Sequence, residues 1–313
     1  MYNASTGTVD ASGLITSTEV TYNSLNQAVV QKDVRGFYSY KVYDQSGRVA
    51  YDIDSEGYVT RFLYNSYDEQ ISLRRYSAKI VTSGLSGWTA GTALTLAQLQ
   101  TPGVIVSNNT TDRVLVNTFD ARGLKTSVTQ AAISYVNAAG TTTTGSPVTQ
   151  FSFDAYGNLV KEAMLLEGTP GNSNAVWANT FHYYDELGRR LQSVDAEGYV
   201  TTWTYNAQGQ VLEQVEHARA ISTVGLITTT PAGLPTAGDA TTGFDRITRW
   251  SYDVLGRKAT ETSVRHYQDA NGNASVRDLV TALNYDAENH ATGIRVDGVL
   301  TKNAFDALGR ATS

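Results

Sequence analysis

The chain has 313 residues, 41% of them hydrophobic and 17% charged, with 24 Lys and Arg against 30 Asp and Glu, a formal net charge of −6 and no cysteine. That balance excludes a disordered acidic polymer, and with no stretch concentrating Lys or Arg the electrostatic footprint of a nucleic-acid binder is missing. Disulfides and zinc-thiolate sites are excluded by the cysteine count, and no apolar run approaches the eighteen or so residues of a membrane helix.

In chain order, an aromatic residue followed by Asp or Asn, with Gly four positions after the aromatic, recurs from end to end. The copies are Tyr43-Asp44-x-x-Gly47, Phe119-Asp120-x-x-Gly123, Phe153-Asp154-x-x-Gly157, Tyr184-Asp185-x-x-Gly188, Tyr205-Asn206-x-x-Gly209, Tyr252-Asp253-x-x-Gly256 and Phe305-Asp306-x-x-Gly309. Looser copies start at Tyr22, Tyr64 and Tyr285, with Asn26, Asp68 and Asn289 in the place of Gly. A second turn, Asp-x-x-Gly, falls between copies at Asp10–Gly13, Asp33–Gly36, Asp54–Gly57 and Asp195–Gly198. Residues 43–65 and 184–206, 141 positions apart, agree at 12 of 23 positions.

This pattern has a direct backbone meaning. Gly, Asn and Asp are the residues that tolerate positive φ. An Asp or Asn three positions earlier is the preferred opening residue of a type I turn. Together they predict a hairpin with a type I turn closed by a left-handed bulge residue. With two turns in each unit of about 21 residues, strands of roughly seven residues, or about 23 Å, remain. Tyr58, Thr60, Phe62 and Tyr64 fall on one face, with Val59, Arg61 and Leu63 on the other. That alternation predicts a half-buried antiparallel sheet with an aromatic face.

The rhythm breaks at about 76–113, 129–149, 163–180, 214–247 and 262–281. These stretches hold all five prolines, and they read as loops and longer hairpins projecting from the array. Asn137–Gly140 and Asp269–Gly272 are predicted hairpin tips. Residues 93–100 make the one helical piece, with Thr95 and Gln98 in capping-box relation and Pro102-Gly103 after it.

The candidate chemistry is sparse. The turn aspartates recur too often to be a unique acid–base pair and read as turn residues. Arg48, Arg189, Arg257 and Arg310 follow the turn Gly; they read as supports of their own hairpins rather than a ladder for an anionic ligand. His182, His217, His266 and His290 lie far apart, without metal-site spacing. Asp269-Ala-Asn271-Gly-Asn273 resembles half a calcium loop, but Ala274 and Val280 replace the Gly and Glu that the loop needs. The expected set is therefore no catalytic residue, no metal and no cofactor.

The motifs Tyr43-Asp44-x-x-Gly47-Arg48, Tyr184-Asp185-x-x-Gly188-Arg189, Tyr252-Asp253-x-x-Gly256-Arg257 and Phe305-Asp306-x-x-Gly309-Arg310 resemble the YD-repeat, or RHS (rearrangement hot spot), family. The Asp54 and Asp195 segments, Asp-x-x-Gly-Tyr-Val-Thr, add to the likeness. The resemblance implies an all-β fold of antiparallel hairpin repeats wound into a spiral sheet, an open segment of a shell. In bacterial relatives such a shell encloses a C-terminal toxin after an Asp-Pro autoproteolytic segment, and none of the prolines here follows an Asp.

The expected organisation is one continuous array over 1–313, a middle slice of a longer protein with unpaired strand edges at both ends. The expected role is a structural, non-catalytic wall segment in a large secreted or cell-surface bacterial protein. Its partners would be flanking repeats of the same polypeptide, or further copies through edge strands, with an encapsulated toxin or a surface glycan implied by relatives. Alternatives are an adhesin-like module using its insertions, a fibre-forming repeat segment, and a β-propeller. The drifting spacing of the copies disfavours the propeller.

Overall fold

The computed structural model describes residues 2–3, 8–9, 18–223, 226, 245–268, 271, 274–296, 298–306 and 310. The predicted turn at Asp10–Gly13, the turn residue Gly309, most of the 214–247 insertion and, Asn271 apart, the tip at Asp269–Gly272 lie outside these. The chain divides into two compact units, residues 1–149 with 165–175, and residues 150–164 with 176–313.

The first unit contains a short ribbon of β1 (Tyr2–Asn3) and β2 (Thr8–Val9), and a sheet in chain order. The sheet strands are β3 (Glu19–Tyr22), β4 (Ala28–Lys32), β5 (Tyr38–Tyr43), β6 (Val49–Ile53), β7 (Tyr58–Tyr64), β8 (Gln70–Lys79), β9 (Arg113–Phe119) and β10 (Lys125–Gln130). Each is antiparallel to the one before it. A separate hairpin, β11 (Ile133–Val136) with β12 (Thr142–Gly145), turns at Asn137–Gly140, where Gly140 has φ 77°.

The sheet of the second unit follows the same rule. Its strands are β13 (Val148–Phe153), β14 (Leu159–Glu167), β15 (Val176–Tyr184), β16 (Arg190–Val194), β17 (Val200–Tyr205), β18 (Val211–Glu216), β19 (Arg246–Tyr252), β20 (Lys258–Gln268), β21 (Ala274–Tyr285), β22 (Ala291–Val296) and β23 (Val299–Lys302). The protein is all-β, its strands antiparallel and joined to sequence neighbours. The 262–281 break is not a detached loop: β20 and β21 stay paired from Thr260↔Ala282 to Gln268↔Ala274.

On β7 the residue that leaves water completely is Val59, not a member of the aromatic face. Tyr58, Phe62 and Tyr64 are half-buried, whereas Val59 on the opposite face is 0% exposed. Cross-strand register aligns Val59 with Ile53 and Tyr40, and Tyr51 with Val42, so the core is a row across three strands. Half-buried Tyr64 keeps its hydroxyl on the Val49 carbonyl, but Val and Ile carry no polar atom. Burying each stabilises by roughly 1.5–3 kcal/mol. The second unit repeats this row 141 positions later with Phe181, Tyr183, Val194 and Val200.

The 76–113 insertion completes the first core by laying Leu85, Leu94, Leu99 and Val104 upon it. A single 3-10 turn (Thr82–Gly84) and helix α1 (Leu96–Leu99) occur there. Thr95 Oγ1 accepts from the Gln98 N–H at 3.3 Å and Gln98 Oε1 accepts from the Thr95 N–H at 2.9 Å, the expected capping box. A helix this short depends on packing, and Leu99, 2% exposed, is its anchor.

His182 on β15 is buried, its Nδ1 3.0 Å from Ser193 Oγ, and burial together with the Arg190 charge pushes its pKa down to about 4. The unfolded chain therefore binds a proton here at a higher pH than the folded one. Stability is fully present above about pH 6.5 and falls as pH drops toward about 4. Urea unfolding from pH 7 to pH 4.5 is expected to show a loss on the order of 2 kcal/mol that His182→Gln abolishes.

Candidate functional site

The repeated turn is one geometry reused. At residues 44–48, the Gly47 N–H donates to the Asp44 carbonyl at 3.0 Å and the Asp44 N–H to the Arg48 carbonyl at 2.8 Å. Gly47 has φ 80°, and the register slips by one residue between Val42 and Tyr43. The same hydrogen bonds and positive φ stand at Asp120–Gly123, Asp154–Gly157, Asp185–Gly188, Asn206–Gly209 and Asp253–Gly256, and, without the register slip, at the second turns Asp54–Gly57 and Asp195–Gly198. In the looser copies Asn26, Asp68 and Asn289 have φ of 59°, 66° and 72°, the non-Gly positive-φ residues among the described ones.

The opening side chain satisfies the turn's own backbone. Asp185 Oδ1 accepts from the N–H groups of Leu187 and Arg189, at 3.0 and 2.9 Å, while Oδ2 accepts from Arg189 Nε at 2.7 Å. Asp44 with Arg48, Asp253 with Arg257 and Asp306 with Arg310 do the same. The choice between Asp and Asn follows the residue four positions on, except at Asp120, which precedes Leu124 and pairs with Arg122. Asp faces a donor there (Arg48, Asn158, Arg189, Arg257, His290), whereas Asn23, Asn65 and Asn206 donate from Nδ2 to Gln27, Glu69 and Gln210.

Adjacent copies are then tied to each other. The Tyr hydroxyl donates to a carbonyl of the preceding copy: Tyr43 to Ala28, Tyr64 to Val49, Tyr184 to Leu159, Tyr205 to Arg190, Tyr252 to Val211 and Tyr285 to Lys258, at 2.7–3.1 Å. Each accepting carbonyl lies six residues after the preceding copy's aromatic. In the other direction, Arg48, Arg189 and Arg257 donate to the carbonyls of Asn65, Asn206 and Asp286 in the next turn, at 3.1–3.2 Å. Their guanidiniums lie 4.7, 4.9 and 4.5 Å from the Tyr64, Tyr205 and Tyr285 ring centroids, a cation–π contact. The arginines support their own hairpins, as expected, and also hold the next one.

Two residues missed by sequence reasoning fill the gaps that Phe leaves. Phe119 has no hydroxyl for the Gln70 carbonyl, and Asn117 Nδ2 donates to it at 2.8 Å. Phe305 has none for the Ala291 carbonyl, and Asn303 Nδ2 donates at 3.1 Å. The signal was readable: Asn stands two positions before these two Phe residues and before no Tyr of the motif.

Burial works against ionisation of Asp44 and Asp185, yet hydrogen bonds from the Arg partner and the turn amides hold both carboxyls below the usual range. At Asp253 the Arg257 amide leads in the same direction. With both oxygens engaged, these carboxylates offer no base or nucleophile.

The insertions leave the sheet at matched necks. Asp112, 3% exposed, accepts from the Ser77 N–H at 2.9 Å, and Asp245, 5% exposed, accepts from the Ala218 N–H at 2.8 Å. The Ile80 and Ile221 N–H groups donate to the Gly57 and Gly198 carbonyls, both at 2.8 Å. His217 sets Nδ1 2.9 Å from Asp245 Oδ2 and Nε2 3.4 Å from Thr202 Oγ1, the order of a nucleophile–base–carboxylate relay. The counterpart of His217 is Tyr76, and Asp112 clasps its neck without any histidine, so the carboxylate's common role is structural. Among the described residues no group of three His, Asp or Glu could hold a metal.

Asn117→Ala leaves the Gln70 carbonyl without its donor and is expected to cost about 1–3 kcal/mol in urea unfolding. Phe119→Tyr in the same chain is expected to return at least half of it.

No curated protein matches the chain. Among solved structures it is similar to the crystal structure of TcdB2-TccC3-TEV, with a TM-score of 0.44 and 12% identity over 94% of this chain and 14% of that one. The crystal structure of TcdB2-TccC3 without its hypervariable C-terminal region gives 0.34, 12%, 94% and 16%, and the Photorhabdus luminescens Tc holotoxin pore gives 0.19, 10%, 94% and 18%. The chain thus spans 14–18% of the length of these structures. Residues 184–218 match the family model of the RHS Repeat, and those residues hold two complete copies of the turn described above, at Tyr184 and Tyr205. The chain therefore carries the RHS repeat.

Proposed function

We propose that the chain is a non-catalytic wall segment of an RHS-type shell, in which repeats continue as one array over 1–313 and into flanking repeats or further copies through their edge strands. The observation that carries this reading is the two-way tie between successive copies: the Tyr hydroxyl reaches back and the Arg guanidinium reaches forward. Such ties make each hairpin's stability a property of its neighbours, which suits an extended wall. A catalytic centre, by contrast, needs a residue that is used once. The protein would belong to a large secreted or surface-exposed bacterial polypeptide, and the cargo behind the wall would be a toxin, as in relatives that carry this repeat.

Arg189→Ala removes the Asp185 pair, the bond to the Asn206 carbonyl and the stacking on Tyr205 together. It is expected to cost about 1–3 kcal/mol and to raise hydrogen exchange in both hairpins 184–189 and 205–210. Protection lost in only one of them would argue against the tie. Electron microscopy of the polypeptide with its adjoining repeats is expected to show this segment inside a continuous hollow β wall. A segment standing as a detached domain would refute the shell reading.

A further inference from the structure

Comparison of the two matched necks exposes a difference that the repeat does not require. In the second unit Glu216 on β18 lies directly opposite Arg246 on β19, and the two form an ion pair at 3.1 Å. Three positions along the strand, Glu213 and Arg249 pair likewise at 2.7 Å. In the first unit the place of Glu216 is taken by Arg75 on β8, directly opposite Arg113 on β9. Like charges directly opposed across an antiparallel pair are destabilising. The scaffold accommodates the complementary pair at this position, so the opposition of two guanidiniums is particular to the first unit.

The surroundings differ as well. Ser77 Oγ and Thr111 Oγ1 sit 2.6 Å apart beside the pair, whereas the counterpart of Ser77 is Ala218. Tyr58, Arg75, Ser77, Thr111 and Arg113 line a cavity of about 420 Å³. Lys79, opposite Tyr58 in register, holds Nζ 5.2 Å from that ring, adding a third positive charge to the same face. Two acidic groups lie here: Asp112, whose oxygens accept from Ser77 N–H and Oγ and from the Asn108 N–H, and Asp54, whose Oδ2 is 3.6 Å from Arg75 Nη2, with the Asp54 and Arg75 side chains 43% and 59% exposed. An exposed pair of that length contributes little, and Arg113 forms no ion pair among the described residues.

We propose that this cavity is an oxyanion-binding site that takes a phosphate or sulfate group. Two guanidinium forks recognise a tetrahedral oxyanion by paired N–H donors, and Lys79 adds to the positive field on the same face. The anion relieves the Arg75–Arg113 repulsion, as Glu216 relieves it for Arg246. Binding therefore stabilises the base of the 76–113 insertion as well as the ligand.

The test uses inorganic phosphate and inorganic sulfate on the full chain, at constant ionic strength against chloride. Phosphate or sulfate is expected to raise the melting temperature of the wild type by several degrees beyond chloride, and to shift the Arg75 and Arg113 Nε–H resonances together. Arg75→Glu restores the pairing of the second unit. It is expected to raise the melting temperature in chloride, to lose the oxyanion increment and to weaken phosphate binding at least tenfold in calorimetry. An increment no larger than that of chloride, or an equal one in Arg75→Glu, would overturn the site. So would wild-type resonances that stay fixed through the titration, a readout that does not depend on the variant folding.

Discussion

The structure depends on a backbone constraint: one residue in every hairpin must take positive φ. A type I turn alone splays the strands that it joins; a left-handed residue after it restores the right-handed twist and returns the chain antiparallel. Gly meets this demand at Gly47, Gly188 and Gly256, and Asn26, Asp68 and Asn289 meet it at a modest steric cost. The repeated geometry of the turn, rather than any one side chain, fixes where the chain reverses.

On that backbone the side chains work at two ranges. Asp or Asn at the start of the turn satisfies amides two and four residues on, closing each hairpin by itself. Tyr and Arg act between hairpins, one backward and one forward. The exchange of Phe and Asn for Tyr at Phe119 and Phe305 indicates that the atom being served is a backbone carbonyl of the preceding copy. A half-buried carbonyl without a donor is costly, and at Phe119 and Phe305 the copy recruits an amide from two residues earlier, whereas Phe153 has Phe151 there.

The breaks in the rhythm are governed by the same scaffold. Both large insertions leave through an Asp clasp and a Gly carbonyl, and in the first unit the excursion returns four apolar side chains to the core. Repetition also gives an internal reference: where two equivalent positions differ in charge sign, as Arg75 and Glu216 do, the scaffold itself does not account for the difference.

Much of this was written in the chain. The turn positions, the positive-φ substitutes, the antiparallel hairpins and the capping box at Thr95 follow from local chemistry, because each is settled within about five residues of backbone. What only the tertiary structure decided involves partners on different strands. Val59 rather than its neighbour Tyr58 is buried, because cross-strand register aligns it with Ile53 and Tyr40. Asp112 finds Ser77 across an insertion and Arg75 meets Arg113, at separations that no periodicity reports. Local sequence sets the conformation of each turn, but the packing of one strand against the next chooses which side chains meet.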